Sequence, residues 1–167
     1  MIKTYLPILF CLITVAVFAD DDCMLYQQSI NAIEQCKKEL EKNKDEAEKN
    51  KLQKKVRDES EKAANYLENC SKSNPSSKPK ENLLRWYKMA KLYVDAQKYD
   101  KAKPLLKACK DHPDAHSVII EGKPLDLLAN EILLKIEFFV NMEQITKYSG
   151  SQLKINKGEY TGMLKEK

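Results

Sequence analysis

Glycine is scarce in this chain, with four in 167 residues. A backbone without glycine cannot close tightly around a phosphate, so nucleotide-cradling loops are excluded as a working hypothesis. Histidine is rarer still, at two residues. No Ser or Cys stands in a nucleophile motif, and no two cysteines have the tight CxxC spacing of a metal site. Neither sign of charge dominates, with 29 basic against 25 acidic residues. The basic residues are dispersed, which argues against a nucleic-acid binder. Between residues 22 and 70 there is neither Gly nor Pro, so nothing in the backbone chemistry interrupts helix there.

What is present begins with a leader. Lys3 gives a positive start, residues 6–18 form an apolar run, and Val17-Phe18-Ala19 places small residues where a signal peptidase reads. Asp20-Asp21-Asp22 follows, an acidic start that suits a mature N-terminus. The run is shorter than the ~20 apolar residues that span a bilayer, so a signal peptide over 1–19 is preferred to a membrane anchor. The expectation is a secreted, extracellular protein that is not transmembrane.

Cys11 leaves with the leader, and Cys23, Cys36, Cys70 and Cys109 remain. An even number in an exported chain predicts two disulfides, with three pairings open. The remainder divides into a single helical domain over 20–147, with a loop at 71–80, and a flexible polar tail over 148–167. The loop, SKSNPSSKPK, is read as joining two halves that a disulfide ties together.

Residues 22–70 read as one long helix or a helical hairpin turning in the charged run 37–51. The hairpin is favoured because a lone helix has nowhere to bury its apolar stripe. Lys and Glu alternate in that run, which suits a solvated face. After the loop, Leu83, Tyr87, Ala90 and Val94 define an amphipathic helix. Gln97 to Asp100 breaks the pattern, and Asp100 is read as the cap of a short helix over 101–110, with Pro104 in its first turn. Val118-Ile119-Ile120 is extended, Glu121-Gly122-Lys123-Pro124 turns, and an apolar helix runs on from Leu125. That helix reads as central core, in preference to a lipid-facing one. The fold class expected is all-α: a bundle of four to five helices with one short extended segment.

Candidate sites are few. His112 and His116 have a helical zinc spacing, but Pro113 lies between them and no Glu follows the first His, so solvent-facing loop histidines are preferred. The sequence therefore points to no catalytic residue, metal or cofactor. Asn69-Cys70-Ser71 is an N-x-S sequon, making Asn69 a candidate for glycosylation. Trp86, Tyr87, Tyr93 and Tyr99 are the densest aromatic group, read first as packing and second as the lining of a ligand pocket. Lys147, Lys154, Lys157, Lys165 and Lys167 make the tail basic, suited to contact with anionic phospholipid.

One stretch carries a resemblance. Ala102-Lys103-Pro104-Leu105-Leu106-Lys107, then Asp114-Ala115, then Val118-Ile119-Ile120-Glu121-Gly122-Lys123-Pro124 and the following apolar helix resemble the Turandot family of secreted insect stress-response proteins. Residues 101–145 carry the likeness. The chain departs from that family in its greater length, its four cysteines and its lack of paired glycines after the Pro. The resemblance implies a non-enzymatic humoral factor of stress or immunity that binds anionic phospholipid on host cells. The alternative reading is a secreted helical binding protein for a small apolar ligand, of saliva, venom or seminal-fluid type.

Overall fold

The structure is a computed structural model, and it describes the backbone of residues 6–155 and the side chains of residues 21–142. Residues 1–5 and 156–167 lie outside the described residues. Five helices carry the fold: α1 (Leu6–Lys42), α2 (Glu46–Ser73), α3 (Pro79–Asp95), α4 (Tyr99–Asp111) and α5 (Leu125–Ile155). The chain divides into two compact units, residues 1–130 and 131–167.

In the first unit the helices pack in chain order, α1 on α2, α2 on α3 and α3 on α4. The α1–α2 hairpin turns inside the charged run. Asn43 Oδ1 accepts from the Asp45 amide (2.9 Å), and Asp45 then caps α2 by accepting from the amides of Ala47 and Glu48. This Asn-x-Asp start, with Glu48 at the third helical position, is a turn signal that the surrounding lysines and glutamates hide. The hairpin buries Ile33 and Cys36 of α1 and Leu52, Val56, Ser60, Ala63, Ala64 and Leu67 of α2. Their spacing of three and four residues is one helix face. Leu83 of α3 and Leu106 of α4 are fully buried.

The connection between α2 and α3 is shorter than 71–80. α2 continues to Ser73, and Pro79 opens α3 at a position where its missing N–H costs nothing. α3 ends in a Schellman motif: Lys98 N–H reaches Tyr93 O (2.8 Å), Gln97 N–H reaches Val94 O (2.9 Å), and Gln97 adopts φ 59°. α4 then starts at Tyr99, so Asp100 is a first-turn acid and not the cap, and Pro104 sits inside the helix, not in its first turn.

Two disulfides are corrected to one. Cys23 of α1 joins Cys70 of α2, with a Cα–Cα distance of 5.1 Å. It closes the hairpin upon itself and does not tie the two sides of the loop. Cys36 and Cys109 are free and buried. They stand on α1 and α4, which are not neighbours in the stack, and the Cys109 thiol is directed at Leu83 O (3.7 Å). Both serve as small apolar side chains.

The single extended segment is corrected to a minimal hairpin. Ile119 pairs with Pro124 and Ile120 with Lys123, antiparallel. Glu121 and Gly122 both have positive φ (52° and 79°), as a two-residue type I′ turn requires. Leu125 N–H to Val118 O (2.9 Å) closes the unit and begins α5. Leu125 and Ala129 are buried, whereas Leu127 on the same helix is exposed.

In the second unit α5 continues to Ile155, through part of the segment read as a tail. No Pro interrupts it there, and a single Gly costs a helix only about 1 kcal/mol. Along it Leu133 and Ile136 are buried, and Leu134, Phe138 and Phe139 are exposed.

Candidate functional site

Three helices of the first unit each contribute one stripe to a common groove of about 670 Å³. Glu68, Ser71 and Lys72 come from α2, Asn82, Arg85, Trp86, Met89 and Tyr93 from α3, and Lys101, Pro104 and Leu105 from α4. Each set follows three-and-four spacing, so each is the face its helix turns towards the same space. Pro75 of the connecting loop completes the lining. The volume is within the range of small-molecule sites.

Met89 and Tyr93 are buried and form the floor, while Trp86 and Leu105 are half-buried walls. The Trp86 ring meets His112 edge-on at 6.5 Å. His112 Nδ1 in turn accepts from the Asp114 amide (3.1 Å), which holds the ring in place.

Polar groups lie at the margins and most are engaged. Tyr93 Oη donates to Asn65 Oδ1 (3.0 Å), with Glu68 Oε2 at 3.4 Å. Desolvation, reinforced by the Glu68 charge, pushes the Tyr93 phenol up to about 12. Glu68 pairs with Lys72 (2.7 Å), and that hydrogen bond holds its carboxyl below the usual range. Lys101 Nζ lies 5.2 Å from the centre of the Tyr93 ring and 3.6 Å from Glu61. Arg85 donates to the Asn74 carbonyl and, among the described residues, has no carboxylate at ion-pair distance. Ser71 Oγ donates to Leu67 O (2.6 Å) and Asn82 Nδ2 to Ser76 O (2.9 Å).

This arrangement can hold a molecule. It offers an aromatic and thioether floor, apolar walls and a cationic margin. The Ser71 hydroxyl is spent on its own helix, and no histidine lines the groove to act as its base.

Of the aromatic group singled out in the sequence, Trp86 and Tyr93 line the groove. Tyr87 is buried on another face of α3, under Lys91, and Tyr99 opens α4 outside the lining. Sequence reasoning missed Arg85, Met89, Pro104, Leu105 and the lysines. The signal for the α3 set was the interval from Asn82 through Arg85 and Met89 to Tyr93, a second stripe beside the core one. His116 is not in the groove. Its Nδ1 lies 3.0 Å from Asp126 Oδ2, and this contact is the main cause of the lowered Asp126 carboxyl. Among the described residues no His, Cys, Asp and Glu cluster is placed to hold a metal ion.

Asn69 is exposed on α2, with Cys70 of its sequon in the disulfide and Ser71 bonded to Leu67. The side chains of Lys147 and Lys154, and Lys157, Lys165 and Lys167 altogether, lie outside the described residues. Among the described residues no helix is long and apolar enough to cross a membrane. No protein-family model, no curated protein and no solved structure matches the chain.

Proposed function

We propose that this chain is an exported, non-enzymatic helical protein that holds a small apolar ligand in the α2–α3–α4 groove. The observation that carries the reading is the convergence of Trp86, Met89, Tyr93 and Leu105 from two helices on one open space. Apolar side chains left around unfilled volume give up dispersion contacts that a ligand would restore. Export is supported by the leader and by the Cys23–Cys70 bridge, since such bonds persist in oxidising compartments. The setting is the humoral one that the resemblance over 101–145 implies. Expression after heat or bacterial challenge tests that setting, and N-terminal sequencing of exported protein, expected to begin at Asp20, tests the processing.

The binding reading is tested by a thermal-shift screen of the purified mature protein against small apolar compounds. A ligand at a hundred times its Kd stabilises by about 2.7 kcal/mol, which is readily seen. Stabilisation by a set of apolar compounds, lost in Met89→Asp, supports it. A screen in which no apolar compound shifts the transition overturns it.

A further inference from the structure

Resting on that reading, we propose that the groove's ligand is an anionic amphiphile whose acidic head sits on Arg85 and whose apolar tail lies along Trp86, Met89 and Leu105. The argument is one of uncompensated charge. Three cations and one carboxylate line the groove. Lys72 is offset by Glu68 at 2.7 Å, and Lys101 by Glu61 at 3.6 Å. Arg85 has no carboxylate at ion-pair distance among the described residues, and its charge reaches the Glu81 carboxyl only as the last and smallest influence on it. The carboxylate of Glu81, one turn before it on α3, is spent on Ser76 Oγ (2.6 Å) and Lys78 Nζ (2.9 Å).

A guanidinium carries five donors in a rigid fork. Arg85 uses one side of its fork on the Asn74 carbonyl, which fixes the side chain against the loop. The remaining donors are those that match a carboxylate or phosphate in bidentate fashion. Arg85 is also half-buried, so the pairing is less screened than one at an open surface. The next residue, Trp86, lines the same wall, so a head on Arg85 delivers its tail directly to the apolar floor. A polar anion without a tail leaves that floor empty, and a neutral apolar molecule leaves Arg85 unpaired.

The test compares oleate with oleyl alcohol, which shares its tail and lacks its charge, below micellar concentration and at low salt. Trp86 is the single tryptophan, so its emission reports the groove. Oleate is expected to bind about tenfold more tightly than the alcohol, the factor that corresponds to 1.4 kcal/mol. Arg85→Gln should abolish that preference by lowering oleate affinity to the level of the alcohol, and Arg85→Lys should restore part of it. Circular dichroism of the variants identifies any that fail to fold, and in that case raised salt, which should shrink the preference in the wild-type protein, decides the matter. Equal affinity for the two probes overturns the head-group assignment and leaves the groove reading intact. No response to either overturns the groove reading itself. Inorganic phosphate alone binding as tightly as oleate, or attachment to phosphatidylserine vesicles without oleate binding, also overturns the amphiphile.

Discussion

Cys23 and Cys70, separated by 47 positions, are bonded to each other, and Cys70 stands on α2 between Glu68 and Ser71, which both line the groove. The bridge therefore fixes the free end of the α1–α2 hairpin next to the site. Closing a loop of that length contributes about 4 kcal/mol in the chain-entropy model. A Cys23→Ser, Cys70→Ser variant is expected to lose stability of that order in urea denaturation. A loss below about 1 kcal/mol would mean that helix packing alone holds the hairpin shut.

The same bridge leaves Cys36 and Cys109 as buried thiols. Native protein should resist iodoacetamide, and unfolded, unreduced protein should take up two labels. Burial pushes the Cys109 thiol up to about 12 from an ordinary value of 9.0. The folded state thus keeps a proton that the unfolded chain releases above pH 9. This contribution is complete below pH 9 and declines as pH rises towards 12. Tyr93, raised from 10.0, adds to the decline above pH 10. Stability should fall on the order of 1 kcal/mol more steeply between pH 9 and 10.5 in the wild type than in Cys109→Ala. Parallel pH profiles for the two proteins would contradict the assignment.

Ser60 is fully buried, as are Ala63 and Ala64 on the same helix, and its hydroxyl has no hydrogen-bond partner among the described residues. An unpaired buried hydroxyl costs about 1–3 kcal/mol, and alanine is also the better helix former. Ser60→Ala should therefore stabilise the protein by about 1 kcal/mol in a chemical denaturation series. A destabilised variant would show that the hydroxyl has a partner in solution.

Gln97 occupies the left-handed position that ends α3, where a side chain is strained and glycine is not. Gln97→Gly should raise stability by about 0.5–1 kcal/mol, with no effect on the groove. Loss of stability in that variant would mean that Gln97 makes contacts worth more than its strain.

The helical class was legible because the apolar positions repeat at three and four residues, and Leu83, Tyr87 and Ala90 are buried as that pattern requires. The hairpin was legible only through burial logic, since Asn43 and Asp45 are single turn residues inside a charged run. The cysteine count misled. Parity says nothing about which helices are adjacent, and Cys36 and Cys109 are placed by the stacking order. The groove was half legible. Trp86 and Tyr93 stand out by composition, but Arg85 matters through the ion pair it lacks among the described residues, its neighbour Glu81 being spent on Ser76 and Lys78, and pairing is a property of the folded state.

The central claim is that a ligand occupies the groove against Trp86. The direct measurement is the emission of that tryptophan as the purified mature protein is titrated with oleate. The account predicts a saturable blue shift, as an apolar tail replaces water at the half-buried ring, and its loss in Met89→Asp. An emission spectrum that stays unchanged to saturating oleate would contradict it.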